Sequence, residues 1–122
     1  MIPRASLVLA MLLAACTSLP PSRPVVDTAD LAGTWRGWMS GPMGNVPVIL
    51  TIGQDGSYGG MLYVEPTYKE IRGTISVVRP GLTRYQSNDG NGRVTLHEER
   101  GRRVLRFVRD GGGSGAAVTP EK

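Results

Sequence analysis

Val46-Pro47-Val48-Ile49-Leu50-Thr51-Ile52-Gly53-Gln54-Asp55-Gly56-Ser57-Tyr58-Gly59-Gly60-Met61-Leu62-Tyr63-Val64 reads as a β-hairpin. Val46, Val48, Leu50 and Ile52 recur at every second position, the spacing that puts side chains on one face of a strand. Asp55-Gly56 supplies a tight turn. Tyr58 to Val64 returns as the partner strand, and Gly59-Gly60 within it marks a bulge or a sharp bend. Two strands joined by a short turn set the pattern for the rest of the chain.

The same period continues on both sides of this hairpin. Gly33 to Ser40 reads as a strand before the hairpin. After the break at Glu65-Pro66-Thr67, Lys69, Ile71, Gly73, Ile75 and Val77 mark one face of a long strand. Arg79-Pro80-Gly81 is a turn with Pro and Gly at its central positions. Leu82 to Ser87 is a shorter strand, and Asn88-Asp89-Gly90-Asn91-Gly92 a turn. Arg93 to Glu98 and Arg103 to Arg109 form a last hairpin around Arg100-Gly101. The spacing therefore predicts seven short strands and no helix longer than two turns. The fold class is all-β, a small antiparallel meander over residues 32–110 closing into a full or partial β-barrel. Closure removes exposed strand edges; with seven strands, partial closure or pairing between two copies remains open. Residues 111–122, rich in Gly, Ala and Ser, are expected to be a disordered tail.

The front of the chain has a different character. Met1-Ile2-Pro3-Arg4 carries one positive charge, and Ala5 to Leu13 is an apolar run broken only by Ser6. That run is about half the roughly 20 residues a membrane span needs, so residues 1–15 read as a signal peptide. Leu13-Ala14-Ala15-Cys16 resembles the lipobox of bacterial lipoproteins: an aliphatic residue, two small ones, then the Cys whose thiol takes a diacylglyceryl group. The resemblance implies cleavage before Cys16, lipidation of Cys16 and membrane attachment through that lipid. It places the chain in the cell envelope. Thr17 stands where Asp retains enterobacterial members in the inner membrane, which implies the outer membrane, facing the periplasm. Cys16 is the single Cys, so the mature domain has no disulfide and relies on packing. Residues 16–31, with Leu19-Pro20-Pro21-Ser22-Arg23-Pro24, read as a lipidated Cys and an extended tether.

Charge is uneven. Residues 16–68 carry Arg23 and Arg36 against Asp27, Asp30, Asp55 and Glu65, while residues 69–122 carry eleven Lys and Arg against six Asp and Glu. For an exported chain this favours an anionic envelope polymer or lipid phosphate over nucleic acid.

Gly33-Thr34-Trp35 opens the β region and resembles the Gly-x-Trp start of lipocalins and other calycin barrels. That resemblance implies that Trp35 plugs a closed barrel end, with Arg103, Arg106 or Arg109 packed over it. A core anchor in any small β domain is the plainer reading of Trp35, since a buried Trp is the largest apolar side chain on offer. Trp38 faces away from Trp35 by alternation and is free for a ligand, a partner or the tether. On the last strand Leu105 and Phe107 define the inner face, which leaves Arg102 and Arg106 outside, suited to bidentate contact with phosphate or carboxylate or simply to blunting an edge. The candidate ligand contacts are Trp35, Trp38, Tyr85, Arg102 and Arg106. The expected partner is an apolar or anionic envelope ligand; the alternative is an adaptor pairing with an envelope protein or a second copy.

Enzymatic chemistry finds little footing. His97 is the only His, so neither a zinc site nor a cofactor site is expected. Glu98 and Glu99 are neighbours and point to opposite faces, which gives no carboxylate pair. Gly41-Pro42-Met43-Gly44-Asn45 lacks the Lys and following helix of a phosphate loop. The sequence predicts a non-enzymatic binding module.

Overall fold

The computed structural model describes residues 22–41, 44–64 and 66–121. Its elements are β1 (Ser22–Arg23), a 3-10 helix (Thr28–Leu31), β2 (Gly33–Gly41), β3 (Gly44–Ile52), β4 (Ser57–Val64), β5 (Thr67–Arg79), β6 (Leu82–Ser87), β7 (Gly90–Glu99), β8 (Arg102–Arg109) and β9 (Gly115–Pro120). Each of β2 to β9 pairs antiparallel with the next. β9 pairs with both β8 and β2, which closes an eight-stranded up-and-down barrel. The expected strands are all present, and full closure is the outcome.

Two boundaries are corrected. Residues 115–120, expected in a disordered tail, are the strand that closes the barrel, with Ala116 and Val118 buried. The expected tether 16–31 is built into the domain from Ser22 onward. Ser22 and Arg23 add to β7 opposite His97 and Leu96, and Val25 and Leu31 join the core. In both stretches small or Pro-rich composition suggested loose chain, while pairing and burial with partners distant in sequence fix it.

Alternation makes the core. Val48, Leu50 and Ile52 of β3, Ile71 and Ile75 of β5, and Leu105 and Phe107 of β8 all point inward and are buried. An eight-stranded barrel is just wide enough for side chains to fill. Here large residues sit directly opposite glycines on the neighbouring strand: Tyr58 with Gly73, Tyr85 with Gly92 and Leu50 with Gly60. A Cβ built at Gly73 would lie 2.7 Å from the Tyr58 ring, and one at Gly92 2.8 Å from Tyr85. The missing side chains make room for the rings. Backbone is closer still: a Cβ would stand 2.3 Å from the Gln86 carbonyl oxygen at Gly73, 2.0 Å from that of Val108 at Gly92 and 1.9 Å from that of Ala117 at Gly37. Gly37→Ala therefore forces β2 from β9 and is expected to lower stability by about 2 kcal/mol or more, read from urea unfolding. A wild-type midpoint would refute this packing.

One end is sealed. The Asp27 side chain caps the 3-10 helix by accepting from the Ala29 amide at 3.0 Å. Leu31 and Trp35 are essentially fully buried beneath it, and Trp35 Nε1 donates to the Leu31 carbonyl at 2.9 Å. Of the three arginines considered for the position over Trp35, Arg103 occupies it, 5.0 Å from the ring centre, and donates to the Asp30 carbonyl at 2.8 Å. The β7–β8 turn at this end has Arg100 at φ 53° and Gly101 at φ 77°. Two positive φ values in a two-residue turn suit Asn-Gly better than Arg-Gly. Arg100→Asn is accordingly expected to raise the melting temperature by a few degrees, a gain of about 0.5–1 kcal/mol; no rise would contradict this turn.

Candidate functional site

The opposite end is open. There the β2–β3, β4–β5, β6–β7 and β8–β9 connections leave the sheet. The inward alternation carries Met39, Val46, Leu62 and Val64 up to the rim as an apolar collar around a vestibule of about 210 Å³. The same phase brings charge inward at the strand ends. Lys69 continues the inner face of Ile71 and Ile75, and Arg109 continues that of Leu105 and Phe107. Lys69 Nζ meets Asp89 Oδ1 at 2.8 Å. Arg109 crosses the β6–β7 turn, so that a Cβ on Gly90 would lie 2.8 Å from its Nε. Asp89 is itself held by the turn, its amide donating to Ser87 Oγ at 3.0 Å while Ser87 Oγ donates to the Gly90 carbonyl at 2.9 Å. Among the described residues Arg109 is in no salt bridge. The ring of charges is thus two cations around one carboxylate.

Below the collar a smaller cavity of about 30 Å³ runs down the barrel axis, room for two or three waters. Its floor is aromatic. Phe107 lies between Tyr85, edge-on at 5.2 Å, and Tyr58, tilted at 5.9 Å. Val48, Leu50 and Ile71 form the walls. Burial pushes the Tyr58 hydroxyl up to about 12, against a hydrogen bond with the Ser87 side chain, and burial also raises Tyr85. Both phenols are therefore neutral donors facing the cavity at any physiological pH. Because the folded value of Tyr58 lies above the unfolded one near 10, its neutral form supports the fold below about pH 10, and that support is lost as pH rises toward 12; Tyr85 is shifted in the same direction. Tyr58→Phe is expected to flatten the fall in stability across this window; an unchanged alkaline slope would show that Tyr58 is not the group responsible.

The residues singled out in the sequence divide among several places. Tyr85 lines the cavity. Trp35 does not: it is core at the sealed end, a correction that follows from its 1% exposure. Trp38 is on the outer wall, 58% exposed, and Arg106 shares that wall with it, one strand further from Trp38 than Ala117. Arg102 lies apart from both, opposite Glu99 at the sealed end. Cys16 falls outside the described residues. His97 is half-buried on the outer wall, with its Nε2 3.0 Å from Thr95 Oγ1. Among the described residues no three His, Cys, Asp or Glu side chains gather as a metal site would require. Sequence reasoning missed Lys69, Asp89 and Arg109. The signal was present for two of them: a cation in phase with an inward apolar series, at the end of the strand next to a loop.

No known protein family, curated protein or solved structure matches this chain.

Proposed function

We propose that this chain is a cell-envelope lipoprotein, anchored through lipid on Cys16, whose barrel is a non-enzymatic module that binds a small anionic amphiphile at its open end. The observation that carries the reading is the polarity along the barrel axis. One end is sealed by Trp35 and Arg103, while the other leads from Lys69 and Arg109 past an apolar collar to an aromatic floor. An anionic head group suits the two cations, and a short apolar tail suits the collar. The anchor is consistent with this direction. Cys16 is six residues from Ser22, a reach of at most about 20 Å, and Ser22 joins β7 opposite His97, toward the sealed end. A short tether then holds the sealed end near the bilayer and turns the open end toward the periplasm.

Two experiments test the two halves. Cys16→Ala is expected to abolish acylation and move the protein to the soluble fraction; membrane fractionation that persists unchanged would remove the anchor from the proposal. For the barrel, the probe is octanoate with octanol as its uncharged counterpart, titrated calorimetrically. Octanoate is expected to bind more tightly than octanol, and Arg109→Gln to weaken it about tenfold. Equal affinity for the two probes, or none for either, would overturn the site.

The adaptor reading loses one of its routes, because every barrel strand is paired on both sides. What favours it instead is a run of exposed apolar side chains on the outer face of β3 to β5: Ile49, Met61, Tyr63 and Tyr68, with the two tyrosine rings 5.0 Å apart. Crosslinking in cells that returns only monomers would count against it.

A further inference from the structure

On the outer wall, away from the open end's collar and cavity, the register of three strands brings together residues far apart in sequence. Ala117 of β9 is paired with Trp38 of β2 on one side and with Arg106 of β8 on the other. Neighbouring strands lie about 4.8 Å apart, so the backbones of Trp38 and Arg106 are separated by about 10 Å with a methyl group between them. The result is a trough of about 590 Å³, floored by Ala117 and Gly115, with Ser40 and Asn45 at the Trp38 side.

Its two walls have complementary chemistry. Trp38 offers an indole at 58% exposure, an unusual place for the largest apolar side chain. Arg106 is half-buried, yet its cross-strand neighbours, Thr95 and Ala117, carry no charge. The salt bridges among the described residues engage Glu98, Glu121, Asp89, Glu70 and Asp110, each with a cation other than Arg106. Arg93, opposite Val108, adds a second cation on the same wall. A flat aromatic face, hydroxyl and amide groups beside it, and an unneutralised guanidinium two strands away together define a ligand. It has a flat C–H face, hydroxyls and a negative charge.

We propose that this trough binds an acidic saccharide, one sugar ring resting on Trp38 and its anionic group taken by Arg106. The guanidinium fork matches a carboxylate or phosphate in two parallel hydrogen bonds. A peptide strand is disfavoured, because the trough lies on the face of a fully paired sheet and offers no free edge for main-chain pairing. Single-stranded nucleic acid is the weaker match, since such sites line up several stacking rings along a backbone track and here there is one.

The inference stands whether or not the open end binds an amphiphile. Its test uses the full chain in mild detergent, titrated calorimetrically with trigalacturonate as the acidic probe and maltotriose as the neutral one. Oligothymidylate and phosphatidylglycerol vesicles are the competing anions. Trp35 is buried, so a ligand-dependent loss of acrylamide quenching reports Trp38. The expected result is binding of trigalacturonate with protection of that emission. Trp38→Ala should weaken it about tenfold, and Arg106→Gln should reduce its affinity to that of maltotriose. Both variants are expected to keep the wild-type melting temperature, because neither side chain is in the core. Trigalacturonate affinity unchanged in Trp38→Ala, no binding at millimolar concentration, or a preference for oligothymidylate or the vesicles over trigalacturonate would each overturn the proposal.

Discussion

Ending the chain after Asp110 is expected to abolish cooperative folding. The deletion removes only a Gly-, Ala- and Ser-rich segment, but that segment contains β9. Six register pairs to β2 and four to β8 disappear, together with the buried Ala116 and Val118. Each lost backbone hydrogen bond contributes about 1 kcal/mol net, and the freed groups of β2 and β8 become open edges. Summed against a total stability of about 5–15 kcal/mol for a small domain, the loss exceeds what the rest can carry. The measurement is a urea titration followed by far-ultraviolet dichroism, with deletion of residues 121–122 as the control. That control removes the Arg36–Glu121 ion pair, whose side chains are 59% and 40% exposed, an interaction worth well under about 1 kcal/mol. A 1–110 fragment with a wild-type transition would show that the barrel does not depend on β9.

The second large effect belongs to the sealed end. Trp35→Ala should cost about 3–5 kcal/mol, the range for deleting a buried aromatic ring. It removes the ring between Leu31 and the barrel core, the 2.9 Å hydrogen bond to the Leu31 carbonyl, and the surface on which Arg103 lies. Arg103→Ala alone should cost about 1 kcal/mol, and a double-mutant cycle should show the two coupled, since the stacking needs both groups. Additive effects would mean that Arg103 is held by the Asp30 carbonyl alone. A Trp35→Ala loss below about 1 kcal/mol would remove the plug from the account of the fold.

Strands β2 to β8 were legible because each carries at least one large inward residue in a two-residue alternation, such as Trp35, Leu50, Tyr58, Ile71, Tyr85, Leu96 and Phe107, so each one announces its own direction of burial. β9 was not. Its inner residues are Ala116 and Val118, small because Phe107 and Trp35 on the flanking strands already fill that part of the core. Nothing local to Gly115–Pro120 shows that a place is being kept for it. Val25 and Leu31 were obscured by a proline-rich approach in the same way. For the site, alternation separated Trp35 from Trp38 and placed Arg106 outside, and Tyr85 was found inside. Which wall Trp38 shares with Arg106 depends on β9 standing between β2 and β8, so that juxtaposition was hidden along with β9. Lys69 and Arg109 were legible in phase but not in meaning, because only a closed barrel turns the ends of separate strands into one rim.

Closure between the first and last barrel strands also fixes an order of events. Most contacts in the meander join neighbours in sequence and form early. The seam does not: Arg36 and Glu121 meet across 85 residues, and that loop must be closed before any of its contacts are gained. A chain delivered from its N-terminus, whether from a ribosome or through a membrane pore, can form hairpin after hairpin and still hold an open sheet until its final residues arrive. Refolding is therefore set by a late, non-local step, and until that step the edges of β2 and β8 compete for any strand within reach.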